Sequence, residues 1–231
     1  MRHYLKGLHH GLPVGLGYFS VSFAFGVAAV QAGLSPWAAV LISLTNLTSA
    51  GQVAGLSVIA AAGSMMEMAA TQLVINLRYA LMSISLSQKL DHGVRLGERF
   101  LMSFGITDEI FAIASSQKEP VKAVYFYGLM TLPVICWTGG TLLGAVAGSF
   151  LPASVLSALG VAIYGMFVAV ILPVAKRDAA VAGVALGAAA LSCAFTWLPG
   201  LQRVSSGFAI IICAVLAAAV GALIRPVEEE V

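Results

Sequence analysis

The sequence predicts an all-α polytopic membrane protein with about seven or eight transmembrane segments, one or two of them broken or re-entrant. Three observations carry this. Of the 231 residues, 60% are hydrophobic and 10% charged, against about 25% charged in a soluble domain, so charges are too few to cover a water-facing surface. Mean hydropathy is +0.97. The apolar residues also fall into stretches near the roughly 20 residues that cross a bilayer, with short loops between them, several carrying Pro or Gly.

Taken in order, the apolar stretches are residues 13–32, 36–63, 68–86, 100–115, 121–148, 155–174, 179–197 and 204–224. The chain reads as one transmembrane transporter domain, 1–231, with 1–12 a cytoplasmic N-terminal segment and 225–231 a cytoplasmic tail. The basic, then apolar, start imitates a signal peptide. No small-residue cleavage site stands out and further spans follow, so it is read as a retained first helix.

Lys and Arg cluster at Arg2/Lys6, Lys89/Arg95/Arg99, Lys118/Lys122, Lys176/Arg177 and Arg225. Basic loops stay on the cytoplasmic side. That rule creates a parity problem, because it places both flanks of 100–115 in the cytoplasm. The stretch is also too short for two crossings. Likewise 36–63 has to begin and end outside. Each contains a polar interruption, Thr45-Asn46-Leu47-Thr48-Ser49-Ala50-Gly51-Gln52 in one and Gly105-Ile106-Thr107-Asp108-Glu109 in the other. Such backbone is tolerated at membrane depth only where protein or a watery cavity satisfies it, as in the discontinuous helices of transporters. The rival reading makes 100–115 a simple span.

A charge at mid-bilayer costs about 2.5–3.5 kcal/mol on insertion scales and normally faces protein or a cavity. Arg78, Asp108 and Glu109 are the clearest cases; Glu67, near a segment end, reads as interfacial. On the 68–86 helix, Gln72, Asn76 and Ser83 share one face and Thr71, Arg78 and Ser85 another, so this helix is expected to be surrounded by protein or to line a pathway. Thr107 has the form of a helix cap followed by acids in the first turn. Successive helical positions point about 100° apart, so one carboxylate is expected to face the pathway and the other a neighbouring helix. Asn46, Gln52, Gln72 and Asn76 would add polar lining, with Phe111, Met82 and Trp137 as apolar wall.

Other features carry less. Cys136, Cys193 and Cys213 are scattered through apolar stretches, and His3, His9, His10 and His92 sit at segment ends, without metal-site or disulfide spacing. Gly51…Gly55, Gly140…Gly144…Gly148 and Gly183…Gly187 permit close helix contact. No phosphate-binding or hydrolase motif occurs, a net charge of +2 gives no reason to expect nucleic acid, and no cofactor is implied beyond a proton gradient. An intramembrane enzyme with Asp108 and Glu109 as an acid pair, and a non-transporting assembly subunit or passive channel, are the rival classes.

The order Gly11-Leu12-Pro13, Phe25-Gly26, Ser49-Ala50-Gly51-Gln52, Asn76-Leu77-Arg78, Leu81-Met82-Ser83, Thr107-Asp108-Glu109, Phe111-Ala112, Trp137 and Gly140…Gly144…Gly148 resembles the AzlC-type branched-chain amino-acid permease family, across roughly residues 7–174. The resemblance implies export of valine, leucine, isoleucine and also methionine across the bacterial cytoplasmic membrane by a multi-pass protein, not an enzyme. It also implies a small membrane partner of the AzlD type. Within that expectation, Arg78 would bind the substrate carboxylate or clamp an acid, and Asp108 or Glu109 would carry the coupling proton.

Overall fold

The computed structural model describes residues 1–148, 150–152, 154, 155, 161, 165, 168 and 171–224. The expected span 155–174 falls mostly, and the tail 225–231 with Arg225 wholly, outside these residues. The described residues are helical, with a single isolated β-bridge between Leu90 and Val121. The helices are α1 (Arg2–Gln31), α2 (Pro36–Thr45), α3 (Ser49–Ala60), α4 (Met65–Ser87), α5 (Leu96–Phe104), α6 (Asp108–Ser115), α7 (Ala123–Ala147), α8 (Ala179–Trp197) and α9 (Ser206–Ile224). Among the described residues, α1, α7, α8 and α9 are long and apolar enough to cross a membrane. The 23-residue α4 has the length, about 34 Å, but carries Glu67 and Arg78. The chain forms two compact units: Met1–Gln52 with Asn76–Ile163, and Val53–Ile75 with Tyr164–Val231.

In the first unit α1 and α7 lie side by side and parallel. Ideal Cβ atoms built on Gly7, Gly11, Gly26 and Gly144 would meet the backbone of residues 125, 129, 141 and 23 in turn, so the seam keeps one register along its length. At Gly26 the added carbon would stand 2.2 Å from the Thr141 carbonyl oxygen, and at Gly144 2.0 Å from that of Phe23. Only glycine lets the two backbones approach so closely, as small residues do at membrane helix interfaces. This seam explains why α1 starts eleven residues before the expected stretch at 13–32. Gly7 and Gly11, in the basic segment taken as a non-spanning N-terminal tail, are part of it. Pro13 and Pro133 sit inside these two helices without ending them, as bilayer helices allow.

Both polar interruptions break helices. α2 ends at Thr45; Asn46 is extended (φ −145°, ψ 106°), and α3 restarts with the Thr48 hydroxyl accepting the Gly51 N–H at 3.3 Å. α5 ends at Phe104, and α6 restarts with Thr107 extended (φ −131°, ψ 171°) and its hydroxyl accepting the Ile110 N–H at 3.3 Å.

The second break belongs to a re-entrant element. The Asp91 N–H donates to the Val121 carbonyl at 3.0 Å and the Val121 N–H to that of Lys89 at 2.8 Å. The Lys89 ammonium also donates to the Ser115 carbonyl. The loops before α5 and after α6 are therefore stitched together. With 8 residues, α6 rises about 12 Å, less than half of a hydrocarbon core of about 30 Å. At the same end, Lys6 donates to Gln117 at 3.1 Å and His10 pairs with the Tyr125 hydroxyl at 2.8 Å. Lys6, Lys89, Lys118 and Lys122 thus gather at one end of the unit, the arrangement that positive-inside sorting gives a cytoplasmic face. An apolar core lies beneath them, with Phe126, Met102, Ile110, Leu129 and Val121 fully buried.

Two expectations about α4 change. Leu73, Leu77, Leu81 and Ile84 are exposed and line one helical face. Among the described residues none covers this face of α4, which remains for lipid, a partner or a pathway. Glu67 is 3% exposed and not at an open interface. In the second unit its Oε1 accepts the Gly207 N–H at 2.8 Å. That N–H is one of the unpaired donors in the first turn of α9, where the helix dipole favours a negative charge.

Candidate functional site

The tip of the re-entrant element carries the two acids expected to matter, and they diverge. The buried Thr107 fixes the start of α6, so Asp108 and Glu109 occupy its first turn. The Asp108 carboxylate pairs with the Arg78 guanidinium of α4 at 2.6 Å. Glu109 turns to α1 and accepts the Tyr18 hydroxyl at 2.5 Å. Both partners suit a carboxylate, which only accepts when ionised. One short helix end therefore joins two neighbouring helices through two carboxylates, which are poorly placed to converge on one substrate atom. Gly105, at the turn into this tip, lies close against the Met130 side chain. Its added Cβ would stand 2.5 Å from the Met130 sulfur.

The ion pair is half-exposed, with side-chain exposures of 42% for Arg78 and 38% for Asp108. Arg78 also donates to the Tyr79 hydroxyl at 3.2 Å and lies over that ring at 4.9 Å. Tyr18, which the sequence did not single out, stacks edge-on against Trp137 with ring centroids 5.2 Å apart. Trp137 is 2% exposed, and its indole N–H has no hydrogen-bond partner among the described residues.

A second polar group sits one helical turn along α7. Gln52 Nε2 donates to the Ser43 hydroxyl at 2.9 Å and to the Asn46 carbonyl at 3.2 Å. Ser43 pairs with Thr141 at 2.7 Å, and Thr141 donates to the Trp137 carbonyl at 3.1 Å. Gln52 is 2% exposed and its Oε1 has no partner among the described residues. Because the amide nitrogen must face the Asn46 carbonyl, the orphan atom is the oxygen. The chain Gln52–Ser43–Thr141–Trp137 holds the α2–α3 break against α7.

The sequence-selected residues thus separate. Arg78, Asp108, Glu109 and Thr107 come together, and Asn46 and Gln52 form the second group. Asn76 belongs to the first unit on α4. Gln72 belongs to the second unit, where its amide donates weakly to Met68 Sδ at 3.9 Å. Met82 and Phe111 pack against the apolar core, which is ordinary packing. Tyr18 and Ser43 were missed because a Tyr or Ser in an apolar stretch gives no periodic signal.

Comparison with known proteins agrees with the order of motifs. A family model described as AzlC protein matches residues 13–151. An uncharacterized membrane protein of Archaeoglobus fulgidus is 34% identical over 81% of this chain and 83% of its own length. The inner membrane protein YgaZ of Escherichia coli is 29% identical over 75% of this chain and 74% of its own. An uncharacterized membrane protein of Helicobacter pylori is 28% identical over 61% and 62% respectively. No solved structure matches the chain. The chain is a multi-pass membrane protein, and it belongs to the AzlC protein family.

Proposed function

We propose that this protein is a secondary exporter of branched-chain or other neutral amino acids, valine, leucine, isoleucine and methionine among them, across the bacterial cytoplasmic membrane. It is coupled to the proton gradient and works with a small membrane protein of the AzlD type. The observation that supports this reading most is the start of α6, where two carboxylates diverge, one held by Arg78 and the other by Tyr18.

The chemistry follows from charge balance. Arg78 alone at this depth is costly, and Asp108 offsets its charge. A substrate carboxylate entering from the cytoplasm takes Arg78 from the ionised Asp108, whose oxygens then accept from the substrate ammonium. A proton arriving on Asp108 from outside removes that acceptor and releases the substrate outward, and Asp108 gives the proton up to the cytoplasm as it takes Arg78 back, so proton and substrate move in opposite directions. Protonation and substrate binding are thereby linked through one shared cation, and each can shift the other only by its differential affinity for the two states. Glu109 and Tyr18 tie the same tip to α1, so a shift of α6 is felt along the α1–α7 seam.

Efflux of labelled leucine from vesicles, with and without an imposed pH gradient, tests the proposal. Acceleration by the gradient is expected. Gradient-independent efflux removes the coupling, and absence of efflux of every neutral amino acid removes the function.

A further inference from the structure

A cleft between the end of α4 and α5 is not used by the mechanism above. Its cavity of about 230 Å³ equals the share of about eight liquid waters, room for one small amino acid. The floor is apolar, with Leu86, Met102 and Ile106, and Arg99 stands on the lining. Among the described residues no acidic side chain pairs with Arg99. Three serines share the wall, and each hydroxyl proton is already committed to its own helix: Ser83 to the Tyr79 carbonyl at 2.7 Å, Ser87 to that of Ile84 at 2.6 Å, and Ser103 to that of Phe100 at 2.7 Å. A hydroxyl that has spent its proton offers only lone pairs. The cleft therefore combines an unpaired cation, a row of acceptors and an apolar floor.

We infer that this cleft is the cytoplasmic loading site for the transported amino acid. Arg99 takes the α-carboxylate, Ser83 and Ser103 accept from the ammonium, and the floor receives the branched side chain. The location fits: Arg99 lies on the basic face, and Ile106 at the inner wall directly precedes Thr107 and Asp108, so a solute held here is next to the re-entrant tip. The inference rests on the export reading. A phospholipid headgroup with an acyl chain offers related chemistry from a different source, and the test separates the two.

The inner-face KM for leucine is measured in inside-out vesicles and the outer-face KM in right-side-out vesicles, for wild type, Arg99→Gln and Ser103→Ala. Loss of a charge-assisted hydrogen bond predicts an inner-face KM raised about tenfold or more for Arg99→Gln. Vmax and the outer-face KM stay within about twofold of wild type. Leucinamide, which lacks the carboxylate, competes equally well in wild type and Arg99→Gln. An inner-face KM unchanged in both variants overturns the inference while leaving export intact, as does a rise equal on both faces or equal for leucinamide. A rise that vanishes in reconstituted vesicles of phosphatidylcholine alone assigns Arg99 to anionic lipid and also overturns it. If wild type moves no leucine from either face, the export reading fails and takes this inference with it.

Discussion

Replacing Gly26 by alanine inserts one carbon into the α1–α7 seam where no space exists. The new Cβ would lie 2.2 Å from the Thr141 carbonyl oxygen and 2.7 Å from the Ala145 nitrogen, both backbone atoms. Carbon–oxygen contacts between close helices settle at about 3.3–3.6 Å, so the backbones have to separate locally by about 1.1–1.4 Å. No rotamer change relieves a clash with backbone. Overpacking of this kind costs about 1–3 kcal/mol, which for a chain of this length lowers the unfolding midpoint by about 2–12 °C. Intrinsic tryptophan fluorescence during heating in detergent measures it. The control is Gly17→Ala on the same helix, where an added Cβ meets nothing within 4 Å; alanine there gains about 0.8–1 kcal/mol of helix propensity, so its midpoint stays level or rises. If Gly26→Ala and Gly17→Ala unfold together, the close seam is not what holds α1 to α7.

Three further outcomes follow from the same geometry. Cysteines placed at Lys89 and Lys118 should react with an impermeant thiol reagent from the cytoplasmic side only; labelling from opposite sides would break the re-entrant assignment. In a double-mutant cycle, Arg78→Gln and Asp108→Asn should each abolish coupled export. The double variant should be more stable than the two single losses sum to, by about 1 kcal/mol given the pair's partial exposure; strict additivity would show that the ion pair contributes nothing. Glu67→Ala should cost about 0.5–2 kcal/mol, the range for loss of a helix cap. Glu67→Gln, which keeps an oxygen for the Gly207 N–H, should cost less, and equal losses in the two variants would place the effect elsewhere.

Much of the fold is legible in composition and punctuation. Charge scarcity announces lipid as solvent, and the two interruptions are marked by residues with a local mechanism, Thr48 and Thr107 as caps. The basic clusters Lys89/Arg95/Arg99 and Lys118/Lys122 on the two flanks of 100–115 favour a re-entrant reading over a simple span, and the Leu90–Val121 bridge joins those flanks. What stayed hidden is tertiary. The first turns of α1 are too polar to read as a span, and they are helical because Gly7 and Gly11 dock on α7. Glu67 near a segment end looks interfacial until Gly207, 140 residues later, supplies its donor. The face shared by Gln72 and Asn76 follows from helical periodicity, but periodicity does not tell that these two residues fall in different packing units. Tyr18 gives no sign in sequence, because its value lies in what two other helices bring to it.

The central claim is that Asp108 exchanges a proton for Arg78 as an amino acid passes. Reconstituted vesicles holding an internal pH dye, given an outward leucine gradient, test it in wild type and Asp108→Asn beside a leucine counterflow assay. Wild type should show leucine-evoked proton movement, whereas Asp108→Asn should show none while still exchanging leucine for leucine. Proton movement of the same size in both would contradict the account.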